Sequence, residues 1–383
     1  MHGSAFANRQ GGVDKVLLIR LDHIGDFIIT SPSIRTVRDN FPSAYITLLV
    51  SPRVYPLAKL CPYVNEVLTF ETNFDVKNVV QNIERILSFA KENLWEKSYD
   101  LCIYFAGLGI EGPVLRSFLP FLSGAKERVG YNYDSFCEML HTLPVTWHPK
   151  EIPHEVPRWL YLLQECGMKL TDDYTEVWFD KSDLFKAEKL LKGFAEGRVK
   201  IAAGIGASTA ARIYPPEKYL VAFKEIIEMG GAIVLFGGKY ESWQAKFLEE
   251  NLPAEFVKNF VEVGAGWRVD AAAMSLTDMY IGNFTGACDI AAALHKPVIA
   301  LSRVAKDTAQ FVTEQSTEAE MFHPWRTKSI VLQPDHQLDK CAENHLFIGC
   351  GEKMPHCIAQ IEPSEIVDAY KKLLKYVRGK HYD

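Results

Sequence analysis

Short apolar runs recur along the chain. Each closes on a polar or glycine-containing turn and then passes into a stretch with helical spacing. In the first half, Val16–Ile19, Tyr45–Val50, Glu66–Phe70, Tyr99–Phe105 and Glu127–Tyr131 read as strands. Between and after them, Ser31–Asn40, Val54–Leu60, Val76–Lys97, Pro113–Leu122 and Glu155–Cys166 read as helices, the last stopped by Gly167. Strands alternating with helices predict a parallel, doubly wound α/β sheet.

A more charged stretch, Thr171–Arg198, carries a helix over Lys181–Phe194, and the domain boundary falls near its start. The pattern then restarts. Val199–Ala203, Ala232–Phe236, Phe260–Val263, Met279–Gly282 and Val298–Leu301 are expected strands. Pro216–Met229, Ser242–Asn251, Arg268–Ser275, Ile290–Leu294 and Ile366–Tyr376 are expected helices. The resulting division is a first domain over 1–174, with residues 1–12 as a flexible leader, a second over 175–363, and a helical tail over 364–383. Two Rossmann-like halves of this kind are expected to face each other across a cleft, the usual place for a ligand.

Composition narrows the function class. The 383 residues are 48% hydrophobic and 23% charged, ordinary for a folded protein. The net charge of -6, with no basic block, argues against a nucleic-acid partner. No apolar run is long enough to span a membrane, and the first residues lack the apolar core of a signal peptide. A cytoplasmic location is expected, with peripheral contact at the inner membrane left open. Of eight cysteines, Cys341, Cys350 and Cys357 cluster near the C-terminus, close to His345 and His356. They read either as reduced structural thiols or as a metal or redox clip.

Candidate chemistry lies where strands end. The stretch Lys15–Pro32 is a buried strand turning into a helix through Asp22, Gly25 and Asp26. Ligands of open α/β sheets bind at such carboxyl edges, so Asp26 is either a helix cap or a positioned carboxylate. The loop Ala207–Arg212 offers Ser208, Thr209 and Arg212, a set that suits phosphate or an ordinary solvated loop. Gly237 and Gly238 precede Glu241, which could accept hydrogen bonds from a ribose. In Asn283–Asp289, Thr285 and Gly286 open a helix whose N–H groups would hold an anion, unless Gly286 serves only the turn. A diphosphate held by these loops, facing a carboxylate, fits sugar transfer from a nucleotide. The carboxylate deprotonates an acceptor hydroxyl, and Arg212 and the helix dipole stabilise the leaving group, with no metal required.

These blocks resemble glycosyltransferase family 9, the family of bacterial lipopolysaccharide heptosyltransferases. The resemblance rests on IRLDHIGDFIITSPSIRTVRDNFPSAYITLLV at 19–50, YDLCIYF and RVGY in the first half. In the second half it rests on GIGASTAARIYPPEKY, GAIVLFGGKYE and YIGNFTGACDIAAALHKPVIALS. It implies a GT-B fold, an inverting and metal-independent mechanism, no cofactor, and an ADP-heptose-like donor. Asp26 would be the general base. Arg212 stands where the family usually has a phosphate-contacting lysine, Glu241 where it has a nucleotide-side acid, and Thr285 and Gly286 at its phosphate-binding turn. The last helix would cross back to the first domain. Phe284 replaces an aspartate expected to contact the donor sugar, and Asp289 replaces a histidine.

The resemblance therefore implies transfer of a heptose or related sugar to a lipopolysaccharide core or other envelope glycan. The alternative is a non-catalytic nucleotide-sugar or glycan binder. A sugar-nucleotide epimerase would need more acid/base groups than the single clear candidate here. A nicotinamide dehydrogenase would need a G-x-G-x-x-G that the first turn lacks. Acceptor contacts are expected from Gly107–Pro113 and Tyr131–Leu140, with Arg53, Arg116 and Arg128 as candidate basic contacts.

Overall fold

The computed structural model describes residues 12–72, 78–105, 113–132, 139–148, 151–306, 318–338 and 356–379. The chain divides into two compact units, Met1–Thr175 and Glu176–Asp383. In the first, β1 (Lys15–Arg20), β2 (Tyr45–Val50), β3 (Glu66–Thr69), β4 (Leu101–Tyr104), β5 (Glu127–Tyr131) and β6 (Leu143–Val145) form one sheet. Its order is β3-β2-β1-β4-β5-β6, and every pair is parallel. In the second, β7 (Val199–Gly204), β8 (Gly231–Phe236), β9 (Val257–Asn259), β10 (Met279–Asn283), β11 (Val298–Leu301) and β12 (Ser329–Leu332) repeat the plan. That order is β9-β8-β7-β10-β11-β12, again all parallel. Both sheets thus reverse direction at one point, between β1 and β4 and between β7 and β10, where an open sheet leaves a crevice at its carboxyl edge.

The continuous apolar runs make the central strands, because a parallel sheet is covered by helices on both faces. Val16, Leu17, Leu18 and Ile19 are wholly buried, as are Ile201, Ala203, Ile233, Val234 and Leu235. Two short edge strands, β6 and β12, were not expected from the pattern; Leu143, Pro144 and Val145 offer too short a run to stand out.

The helix after β1 spans Ile24–Asn40, beginning seven residues before the expected Ser31. Pro32 lies inside it. Proline lacks the N–H that would bond the Ile28 carbonyl, and the Ser31 hydroxyl donates to that carbonyl instead, at 2.6 Å. Phe260–Val263, expected as a strand, is a short helix. The Asn259 side chain accepts from Val261 N at 3.1 Å and Glu262 N at 3.3 Å and so turns the chain as β9 ends.

The last helix, Pro363–Gly379, packs its apolar face within the second unit. Ile366, Val367, Tyr370, Leu373 and Val377 are buried in the second unit's own core, against helix Pro216–Glu228, β11 and β12.

The reversal point of the second sheet is closed by glycine. Gly204 of β7 and Gly282 of β10 are paired in register. A Cβ on Gly282 would lie 2.4 Å from the Gly204 carbonyl oxygen, and one on Gly204 would lie 2.0 Å from the Tyr280 hydroxyl. Gly282→Ala must push backbone apart rather than rotate a side chain. It is expected to destabilise the protein by about 1–3 kcal/mol, read from the shift of a urea unfolding midpoint.

Candidate active site

In the first unit the carboxyl end of β1 is organised around one guanidinium. Arg20, the last residue of the strand, is fully buried, whereas Asp26 keeps 24% of its side chain exposed. Arg20 Nη1 donates to the Phe105 carbonyl at 2.6 Å, joining the ends of β1 and β4 at the reversal point. Arg20 Nη2 donates to Asp26 Oδ1 at 3.2 Å and Nε to the Asp26 carbonyl at 3.2 Å. Nη1 also pairs with Asp22 Oδ2 at 3.2 Å. The other Asp26 oxygen, Oδ2, accepts from His23 N at 3.1 Å, which caps the helix. Asp26 is therefore both the cap and a positioned, partly exposed carboxylate. The sequence had posed these as alternatives.

A second layer of charge lies beneath. Helix Glu155–Glu165 packs on helix Ile24–Asn40 and starts from His154, whose ring nitrogen accepts from Val156 N at 3.0 Å. Glu155 accepts a hydrogen bond from Arg158, one turn on, and both side chains are withdrawn from solvent. Trp159 lies between the two guanidiniums, its ring 5.1 Å from Arg20 Cζ and 4.4 Å from Arg158 Cζ. Trp147 covers Arg158 at 4.1 Å. Burial pushes the Glu155 carboxyl up to about 8, with the positive charge of Arg20 opposing and the negative charges of Asp26 and Asp22 assisting. A protonated carboxyl still accepts from Arg158 through its carbonyl oxygen.

In the second unit the loop after β7 and the helix Pro216–Glu228 meet at Asn283, the last residue of β10, which is wholly buried. Its Oδ1 accepts from Tyr214 N at 3.0 Å and from the Tyr219 hydroxyl at 3.2 Å. Its Nδ2 donates to the carbonyls of Ile205 at 2.9 Å and Gly206 at 3.2 Å. This amide thus ties the loop after β7 to the turn after β10. Glu241 does similar work from the loop after β8. It is buried, its Oε2 accepts from Gly238 N at 2.7 Å, and it also takes a backbone hydrogen bond from Ala207. Burial raises its pKa against those bonds. Its carboxylate staples two loops.

Ser208 and Thr209 are exposed, and Arg212 is half-buried at the end of the 3-10 turn Ala210–Arg212. Thr285 is the N-cap of helix Gly286–Ala293, and its hydroxyl donates to the Asn283 carbonyl at 3.4 Å. The first N–H groups of that helix have no intrahelical acceptor and form its positive end. Phe284 is half-buried, its N–H bonded to the Leu301 carbonyl at 3.0 Å. Asp289 lies in the first turn of the same helix.

Residues 87–331 match the profile of glycosyltransferase family 9 (heptosyltransferase). The chain belongs to that family and is a glycosyltransferase. It is 22% identical over 294 residues to lipooligosaccharide heptosyltransferase 2 of Haemophilus ducreyi, covering 74% of this chain and 81% of that one. Against lipopolysaccharide heptosyltransferase 2 of Escherichia coli K12 it is 22% identical over 297 residues, covering 75% and 82%. Among solved structures, a family 9 glycosyl transferase from Veillonella parvula superposes with a TM-score of 0.74 at 18% identity, over 95% of this chain and 98% of that one. An E. coli heptosyltransferase II follows with a TM-score of 0.67 at 17% identity, over 94% and 99%. An E. coli heptosyltransferase solved with ADP gives 0.65 at 14% identity, over 95% and 99%. The fold is that of these GT-B enzymes.

Several sequence expectations for this glycosyltransferase change with the structure. Gly25 and Gly286 lie inside helices, and neither is among the residues with positive φ, so neither is held by a glycine-only backbone. Arg128, a candidate acceptor contact, instead donates to the carbonyls of Leu140 and Ala125, both at 2.8 Å, and lies over Phe121. Arg53 is exposed, while the Arg116 side chain lies outside the described residues, as do 107–112 and 133–138. Cys341, Cys350 and His345 also lie outside them. Cys357 is buried, its Sγ 3.6 Å from His356 Nδ1. Among the described residues no His, Cys, Asp or Glu group could hold a metal, and no helix is long and apolar enough to cross a membrane.

Sequence reasoning passed over Arg20, Glu155, Arg158 and Asn283. A charged residue closing an apolar strand run, and a Glu–Arg pair three apart in an otherwise apolar helix, were the available signals.

Two measurements check this construction. Asn283→Ala leaves the donors of Tyr214 and Tyr219 and the carbonyls of Ile205 and Gly206 without their partner; a loss of about 2–4 kcal/mol is expected in urea unfolding. For pH, the folded protein keeps a proton on Glu155 between 4.5 and about 8 that the unfolded chain releases. Its contribution to stability therefore falls as pH rises through that window. Glu155→Gln should flatten the fall in unfolding midpoint near the top of the window. A fall below it should persist, because burial also raises Asp270, to about 7.

Proposed function

We propose that this glycosyltransferase moves a heptose or closely related sugar from an ADP-linked donor to a lipopolysaccharide core or similar envelope glycolipid, with inversion and without a metal. The observation that carries the reading is the Asp26 carboxylate. One of its oxygens is fixed by the buried Arg20 and the other by the helix N-terminus, and the side chain still reaches solvent at the carboxyl edge of the sheet. Asp26 takes the proton of an acceptor hydroxyl as that oxygen attacks the anomeric carbon, and a single displacement inverts the centre. On the second unit, Arg212 and the N-terminal N–H groups of helix Gly286–Ala293 stabilise the charge that develops on the leaving diphosphate. They supply the charge a metal would otherwise supply.

The names of the curated relatives support a lipopolysaccharide-type acceptor, and neighbours solved with ADP and with an ADP-2-deoxy-2-fluoro heptose support the donor class. We place the reaction at the cytoplasmic face of the inner membrane, where such a glycolipid would be presented to the first unit. Asp26→Asn keeps the size of the side chain and one of its two acceptors and removes the base. It is expected to lower kcat by about 10²–10⁴-fold with donor affinity unchanged by calorimetry; full turnover by the variant would refute the role.

Phe284 favours a second reading, a nucleotide-sugar binder without transfer. Its half-buried ring sits in the turn before helix Gly286–Ala293 and cannot accept hydrogen bonds from a sugar. Thermal-shift screening with ADP-, GDP- and UDP-sugars separates the two readings. Stabilisation by one of them without transfer or hydrolysis would favour the binder.

A further inference from the structure

The segment after β8 carries two side chains that the proposed chemistry leaves unused. One is Gln244, in the first turn of helix Ser242–Asn251. It is only 6% exposed, and its Oε1 is shut off from solvent with no hydrogen-bond partner among the described residues. A buried amide oxygen without a donor is costly, so such a group calls for a donor brought from outside the fold. The other is Tyr240, in the 3-10 turn Lys239–Glu241, which is 94% exposed. A ring left in water adds nothing to the core. Each departs from the ordinary behaviour of its residue type, in opposite directions, four residues apart.

Their place in the sheet indicates one ligand that uses both. β10, β7 and β8 are consecutive neighbours. The diphosphate is assigned above to the loop after β7 and the turn after β10. Neighbouring strands lie about 4.8 Å apart, so the loop after β8 is one strand spacing from the first and about 10 Å from the second. A nucleotide laid along this edge, with its phosphates at β10 and β7, brings its ribose and base to the loop after β8. Glu241 holds that loop to the one after β7, through Gly238 N at 2.7 Å and the backbone of Ala207. The contact is tight, since a Cβ on Gly206 would lie 2.9 Å from Glu241 Oε2. Gln244 follows Glu241 by three residues, on the same side of the turn.

We propose that Gln244 selects the base of the donor nucleotide and that Tyr240 stacks on it. An exposed aromatic ring stacks on any base and so supplies affinity without selection. The amide supplies selection. Its Oε1 accepts from the adenine 6-amino group while its Nε2 donates to N7, whereas a 6-oxo purine presents acceptors at both positions. The proposal rests on the reading of the donor as ADP-linked and names the side chains that read its base.

The test is titration calorimetry on the full-length protein with ADP, IDP and inorganic pyrophosphate. IDP carries an oxygen where ADP carries the amino group. The wild type is expected to bind ADP about tenfold more tightly than IDP. Gln244→Leu removes the unpartnered amide and keeps its bulk. It should unfold at the wild-type urea concentration or higher and bind ADP and IDP to within about threefold of each other. Tyr240→Ala should bind ADP about tenfold more weakly and Tyr240→Phe as the wild type does, with pyrophosphate affinity unchanged in all three variants. Equal binding of ADP and IDP by the wild type overturns the role of Gln244 whether or not a variant folds. Wild-type selectivity in Gln244→Leu overturns it as well, and unchanged ADP affinity in Tyr240→Ala overturns the stacking. In each of these outcomes ADP still binds and the donor reading stands. A wild type that binds pyrophosphate and no ADP would instead overturn the donor reading, and the proposal with it.

Discussion

The first unit depends on burying a guanidinium where its sheet changes direction. An open parallel sheet needs a reversal point, and there the carboxyl ends of two adjacent strands diverge and leave carbonyls facing a crevice. Arg20 closes that gap from inside. It takes the Phe105 carbonyl at the end of β4, the Asp26 carbonyl in the first turn of the next helix, and the carboxylates of Asp22 and Asp26. A buried charge is tolerated only when its donors are satisfied and its countercharge is near. Meeting that demand fixes the helix entry, the Asp26 rotamer and the packing of helix Glu155–Glu165, whose Trp159 covers the guanidinium face. One desolvated cation thereby turns a structural requirement into a positioned carboxylate.

The second unit solves the same topological problem by other means. Its strands follow the same order, yet its reversal point carries the Gly204–Gly282 contact and the neutral Asn283 amide. The contrast suits the different work proposed for each sheet. A general base gains from a fixed cation that holds it oriented. A turn proposed to receive a diphosphate gains from neutral, close-packed backbone and the N–H groups at its helix N-terminus. Glu241 follows the same logic, since its carboxylate is held by backbone donors and tied into the loops.

Much of this was legible in the residue pattern. The apolar runs located the central strands, and their alternation with helical spacing implied two parallel sheets, because only burial on both faces produces such runs. Asp26, Arg212, Thr285 and Gly286 could be nominated because they follow strands. The errors fell where local signals compete. Phe260–Val263 is apolar enough for a strand, but the side chain of Asn259 turns it into a helix. The expected helix start at Ser31 came too late, and the Ser31 hydroxyl lets the helix run through Pro32.

The sequence by itself determined the parallel α/β class, through short-range periodicity, and its blocks resembled one family; the chemical groups could be nominated because they follow strands. Tertiary structure alone decided what faces each charge. Arg20 and Trp159 are separated by most of the first unit's length, and no local rule connects them. Only the packing of helix Glu155–Glu165 on helix Ile24–Asn40 brings Trp159 to the face of the Arg20 guanidinium. Likewise, only the fold surrounded Glu241 with the backbone of Gly238 and Ala207. The physical reason is the same in both cases. A charged side chain's role depends on what solvates it, and in a folded chain that solvent is supplied by residues distant in sequence.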